Sequence, residues 1–276
     1  MTRAMQDEAG RCGTMPDDAG RFRPSSCVWV DPAGRSGFQN MAIDHALLEA
    51  AVEEQAVFLR LYRWNPACLS FGYHEPAARR YGRQRVEALE LPCVRRPTGG
   101  RAVWHARELT YAYAAPERVG GLREVYRAVH GMLVEGLRAL GVNALLAAPG
   151  PRVPGPSAGA CFATPVGGEV VIGGAKVVGS AQVRRGGGLL QHGSLLLQDD
   201  QRLVHELTNT PQATATETTL SEALGRVVTF QEAADAIRKA AERSAGGWGR
   251  PPEERVLARA EGHLAHYRDP EWTWRR

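Results

Sequence analysis

The sequence predicts a single α/β (α+β) domain in which a mixed or antiparallel sheet carries packed helices. Three observations lead there. Short apolar runs are separated by glycine turns, at Gly173-Gly174 and again at Gly186-Gly187-Gly188, as in hairpin strands. Longer stretches, foremost residues 121–140, place apolar side chains three and four positions apart, the period of a helix with one covered face. The 276 residues, 43% of them hydrophobic, suffice for one full core, and no internal repeat or second module divides them.

Composition narrows the class. A formal charge of +4 is too weak to argue for nucleic acid and suits docking onto an acidic protein. No run approaches the roughly 18 apolar residues of a membrane span, and the first 26 residues lack the apolar centre of a secretory signal. Residues 1–26 read as a disordered tail, residues 27–276 as the domain, and the protein as cytoplasmic. Five cysteines, Cys12, Cys27, Cys68, Cys93 and Cys161, are odd in number, widely spaced and without a CxxC pair. Neither a disulfide framework nor a metal site is indicated.

In chain order, residues 27–30 read as a strand and 40–55 as a helix capped by Asn40, with Ile43, Leu47, Ala50 and Ala51 on one face. Strands over 57–63 and 68–73 join through Trp64-Asn65-Pro66, and a polar helix follows over 77–90. Cys68 and Cys93 fall in apolar strands, where a thiol behaves as a small buried hydrophobe. The segment VRRPTGGRAVWH pairs two glycines with arginines, so that backbone N–H groups and fixed positive charge can meet an anionic or carboxylate-like group; a surface turn with two arginines reads the same way. The helix over 121–140 buries Leu122, Val125, Val129, Met132, Leu133, Leu137 and Leu140, and its His130 reads as core without a catalytic part. Residues 149–160, PGPRVPGPSAGA, read as a mobile loop delivering the chain to Cys161. Strand 189–197, a short helix over 200–208, a threonine-rich loop and helices over 230–244 and 253–267 complete the domain.

Two residues draw attention in the hairpin region. Of 34 basic residues only Lys176 and Lys239 are lysine, so a lysine kept in the strand GGAKVVGSAQ suggests a compact ammonium with a chemical task, although chance explains it equally well. Cys161, at a loop exit and fifteen residues before Lys176, is placed where substrate can reach a thiolate favoured by a nearby cation, although a thiol without a chemical task reads equally well.

Taken together, WNPACLSFGY, RRPTGGRAVWH with ELTYAY, the CFATP cysteine, and GGAKVVGSAQ with LLQHGSLL resemble the biotin and lipoate protein ligase superfamily, most closely its octanoyl-acyl-carrier-protein:protein octanoyltransferase branch, over residues 28–207. The resemblance implies a ligase-like catalytic domain and an acyltransferase of lipoate biosynthesis. It implies catalysis by Cys161, as the acyl thioester, and by Lys176. It implies substrate binding by Arg95, Arg96, Thr98, Gly99, Gly100, His105, Gly179, Ser180 and His192. The expected donor is octanoyl-acyl carrier protein, and the expected acceptor is a lysine of a lipoyl-accepting domain, such as the glycine cleavage H protein or an E2 lipoyl domain. No cofactor, metal, nucleic acid or membrane is expected. An ATP-dependent lipoate ligase, an amidotransferase between lipoyl domains and a non-catalytic acyl-binding relative are the alternatives.

Overall fold

Alternation in the first long strand sets the frame. In β1 (Ser26–Arg35) the side chains of Cys27, Trp29 and Asp31 are buried and those between them half-exposed, as in a strand with one covered face. The computed structural model describes residues 25–148, 167–198, 201–208, 217–244 and 248–275, with a two-residue strand pair, Met15–Pro16 and Phe22–Arg23. Most of the expected tail, the expected loop over 149–160 and Cys161 lie outside the described residues.

Ser36 starts α1 (Gly37–Glu54): its backbone N–H and its hydroxyl donate to the side-chain oxygen of Gln39 at 3.1 and 2.8 Å. The expected cap, Asn40, lies inside the helix instead, fully buried, because the Ser36-x-x-Gln39 pairing already closes the helix start. β2 (Val57–Trp64) and β3 (Cys68–Phe71) follow. The helix expected over 77–90 breaks where Gly82 turns to φ 54°, leaving α2 (Ala77–Arg80) and α3 (Arg83–Ala88). After β4 (Cys93–Arg95), β5 (Val103–His105) and β6 (Glu108–Pro116) comes α4 (Leu122–Ala139), which buries the expected Val125, Val129, Met132, Leu133 and Leu137 but exposes Leu122.

The strand read in GGAKVVGSAQ is two strands in two sheets. β7 (Ala144–Leu146), β8 (Val170–Ile172) and β9 (Ala175–Lys176) form one three-stranded sheet, with Gly173 and Gly174 at φ 59° and 84° in the turn. Val177 bonds to both sides, its N–H to Val170 and its carbonyl to Leu196, and there the chain crosses into β10 (Val178–Arg185). β11 (Gly188–Leu196) pairs back along β10. α5 (Arg202–Leu207), α6 (Leu220–Leu224), α7 (Phe230–Ser244) and β12 (Trp248–Gly249) follow. The last expected helix is interrupted at Gly262-His263 into α8 (Glu253–Glu261) and α9 (Leu264–Arg268), before α10 (Pro270–Trp274).

The main sheet has the order β10-β11-β6-β2-β1-β12. β12, β1 and β2 run parallel and the remaining pairs antiparallel, so the sheet is mixed, as expected. α1 covers one face, with Met41, Ala46 and Leu47 among Phe58, Ala112 and Leu190. α4 and α7 cover the other, with Val129, Leu133 and Ile237 among Leu59, Leu61 and Leu189. Val256, Ala260 and Tyr267 of α8 and α9 belong to the α1 core, so α1 is covered from both sides and buries Asn40, Asp44 and His45 together with its apolar residues. β4, β3 and β5 form a smaller sheet beside it. Among the described residues, no helix is long and apolar enough to cross a membrane.

Candidate active site

The RRPTGG segment leaves β4 and folds back over the end of β3. Arg95, expected to bind substrate, is fully buried and donates to the carbonyl oxygens of Gly72 (2.6 Å), Glu75 (2.9 Å), Trp272 (3.0 Å), Thr273 (3.1 Å) and Arg275 (2.8 Å). It clamps α10 to the loop after β3. Arg96 donates to Ser70, at 2.8 Å to the carbonyl and 2.6 Å to the hydroxyl, and to the carbonyls of Gly99 and Arg101 at 3.1 and 2.8 Å, which sets the shape of its own loop. A Cβ on Gly100 would lie 3.6 Å from that of Ala181 on β10. The two motifs picked out in the sequence are therefore neighbours.

Three hydroxyl–imidazole pairs form around these motifs. Thr98 and His192 Nε2 are 2.5 Å apart, and His192 Nδ1 is 3.0 Å from Asp44. Asp44 also accepts from Tyr62 (2.8 Å) and Arg60 (3.2 Å), and Arg60 continues to Asp31 at 2.8 Å and Asn40 at 2.7 Å. Ser70 and His105 Nε2 are 2.7 Å apart, with Trp64 stacked on the ring at 4.0 Å and Glu108 beside it. The third pair is Ser180 with His130 Nε2, at 2.8 Å. Burial lowers the pKa of all three imidazoles; for His105 and His192 the neighbouring carboxylates Glu108 and Asp44 oppose it.

The strand register separates the pairs. Ser180 lies opposite Gly193 and Tyr111, and Ala181 opposite His192 and Ala112. Side chains alternate along a strand, so Thr98–His192 and Ser180–His130 lie on opposite faces of the sheet at its β10 edge. Lys176 is buried at the end of β9, with Nζ 2.6 Å from the buried Glu169 carboxylate. Gly99, Gly100, Thr98, Gly179, Ser180 and His192 thus gather at the β10 edge; His105 and Arg96 stand behind them against β3, and Arg95 faces away.

Three participants were not picked out from the sequence. Asp44 was one of several polar residues on its helix, Glu169 stood seven positions from its lysine, and His130 was assigned to the core. A histidine on an otherwise apolar stripe was itself the signal, since a buried imidazole needs partners.

Among the described cysteines none is poised as a nucleophile. Burial pushes the Cys68 thiol well up and that of Cys93 up to about 12, with Glu87 adding to the latter. Cys27 is disulfide-bonded, which the cysteine spacing did not suggest. Cys161 lies outside the described residues, so its distance to Lys176 is not part of this geometry. His45, Glu49 and His263 bring three potential metal ligands within 4.8 Å of one another. The two imidazoles stack at 4.0 Å with 11° between their planes, so their in-plane lone pairs run side by side rather than converging on an ion.

Known proteins give the same outline. Residues 36–242 match the family model for the lipoyl protein ligase A/B catalytic domain. Octanoyltransferase LipM of Symbiobacterium thermophilum is 40% identical over 234 residues, 79% of this chain and 85% of that protein. Octanoyltransferase LipM of Bacillus subtilis is 34% identical over 274 residues, 90% of this chain and 98% of that protein. A lipoate-protein ligase A bound with ATP superposes with a TM-score of 0.76 at 19% identity, covering 90% of this chain and 98% of that one. A bi-partite lipoate protein ligase from Thermoplasma acidophilum, described with its E2 lipoyl domain, superposes at 0.69 and 19% identity, covering 91% of this chain and 97% of that one. At such identities the superpositions show the fold.

Proposed function

The chain belongs to the lipoyl protein ligase A/B catalytic-domain family, and from that premise we propose that it is an octanoyltransferase of protein lipoylation acting through Cys161 and Lys176. The observation that carries the reading is the alignment, over nine-tenths of the chain, with an octanoyltransferase. The buried Lys176 beside the GSAQ strand supports it.

The thiolate of Cys161 attacks the carbonyl of an octanoyl thioester on acyl carrier protein, and the carrier's thiolate leaves. The acyl group now rests on Cys161 as a thioester. The ε-amine of a lysine on a lipoyl-accepting domain, such as the glycine cleavage H protein or an E2 lipoyl domain, then attacks the same carbonyl; the amide forms, the amine proton is lost and the cysteine thiolate departs. In both steps the carbonyl oxygen gains negative charge, and the Lys176 ammonium is the compact cation suited to receive it. Donors of that kind contribute roughly 3–4 kcal/mol when removed singly from other enzymes. Because the acyl group arrives as a thioester, no adenylate is needed.

Incubation with octanoyl-acyl carrier protein, with and without ATP, followed by intact mass measurement, tests the proposal. The expected result is an octanoyl adduct on the enzyme without ATP, absent from Cys161→Ala, and transfer of that adduct to a lipoyl domain. Robust ATP-dependent use of free octanoate or lipoate would make the protein a ligase, and binding without any adduct or transfer would make it an acyl-binding relative.

A further inference from the structure

His130 has no part in the mechanism above, yet its contacts are more specific than packing requires. The ring is wholly buried on α4, with Nδ1 2.7 Å from the carbonyl oxygen of Gly168 and Nε2 2.8 Å from the hydroxyl of Ser180. A carbonyl oxygen can only accept, so Nδ1 carries a proton. Burial above all, with the nearby Lys176 charge, lowers the imidazole pKa to about 4 against the bond to Gly168. The ring is therefore neutral at neutral pH, and Nε2 has only a lone pair to offer. Ser180 must donate to it.

The neighbouring groups run in the same direction. The Gln182 amide donates to the Gln191 oxygen at 2.8 Å, and the Gln191 amide donates to the Tyr111 hydroxyl at 2.8 Å. The Tyr111 proton is left to point at the Ser180 oxygen, 2.7 Å away. Among the described residues, Ser180 thus accepts one hydrogen bond, gives one, and keeps one lone pair with no proton to offer. Ser180 is half-buried on β10, on the sheet face opposite that of its neighbour Ala181, which meets Gly100 of the RRPTGG loop.

We infer that His130 is a positioning residue for aminolysis: by accepting the hydrogen bond of the Ser180 hydroxyl, it makes that hydroxyl a one-way acceptor for an N–H of the incoming lysine amine. The inference rests on the transferase reading. A hydroxyl free to turn would donate to the amine lone pair, the pair that must attack the thioester carbonyl. Locked as an acceptor, it holds the amine through N–H and leaves that lone pair to form the new C–N bond. His130 does not itself remove the ammonium proton, since an imidazole held near 4 is far too weak a base for an amine whose ordinary value is near 10.4. Thioester formation involves no amine and does not draw on this arrangement.

Two measurements test the inference. In a two-bond proton–nitrogen spectrum of histidine-labelled protein at neutral pH, His130 should be the neutral tautomer protonated at Nδ1; an Nε2-protonated or doubly protonated ring overturns the inference, whether or not the protein transfers octanoate. In single-turnover assays, His130→Leu should slow transfer from the enzyme thioester to the lipoyl domain by about tenfold or more, with thioester formation within about twofold of wild type. His130→Gln, whose amide offers one donor and one acceptor, should recover most of the loss. Ser180→Ala added to His130→Leu should cost little more, because the two act as one unit. Unchanged transfer in His130→Leu, or equal slowing of both half-reactions, overturns the inference. A wild-type enzyme that forms no octanoyl adduct defeats the proposed function instead and leaves the tautomer test standing.

Discussion

Glu169 changes what can be expected of Lys176. The two charges are 2.6 Å apart and both are buried, so the ammonium is held in place by a carboxylate as well as by the strand that carries it. Replacing one member of a buried pair leaves the other charge with less compensation, at about 3–5 kcal/mol. Glu169→Gln should therefore lower unfolding stability by about that amount in urea, with Lys176→Met in the same background restoring part of it. A loss under about 1 kcal/mol would mean that the ammonium finds solvent or another acceptor. Lys176 stood out in the sequence because the chain uses arginine almost everywhere else. Glu169 did not, because only the pairing of Val171 with Lys176 across the glycine turn brings it alongside.

At the scale of elements, β10, β11 and β6 must lie close enough for Tyr111, Ser180 and Gln191 to bond, and Gly193 between them permits it. A Cβ there would stand 2.5 Å from the Gly179 carbonyl oxygen and from the Ser180 hydroxyl, and 2.8 Å from the Tyr111 ring. Gly193→Ala is expected to cost about 1–3 kcal/mol, as overpacking does, and to weaken the pairing of β10 with β11, read as faster amide exchange over 178–185. Unchanged exchange there would show that the strands can part without loss. The long elements were legible because their periods are: α4 and α7 stand where the apolar spacing puts them. Where the reading failed, a local event outranked the period. Gly82 broke a helix, Val177 shared its bonds between two sheets, and α6 and α10 are too short to show a repeat. Ser36 displaced Asn40 as the cap because its partner Gln39 stood at the right distance.

For the molecule as a whole, buried neutral imidazoles tie stability to pH. The pKa values of His45 and His130 are lowered from 6.5 to about 4, in both cases chiefly by burial. The unfolded chain thus binds the extra protons between those values, and stability is full above pH 6.5 and falls as pH drops toward 4. For His130 alone the loss is on the order of 3 kcal/mol. Urea midpoints measured from pH 7 down to pH 4 should fall less steeply for His130→Gln than for wild type; parallel curves would remove His130 from this effect. Such dependence was invisible in the sequence, since it arises from which side chains a sheet face covers and not from any spacing. The clamp formed by Arg95 has a consequence of a different kind. One guanidinium holds both the loop after β3 and the carbonyls of Trp272, Thr273 and Arg275. A substitution that moves the backbone of residues 272–275 therefore also moves the carbonyls of Gly72 and Glu75, so neither segment can be re-shaped while the other stays as it is.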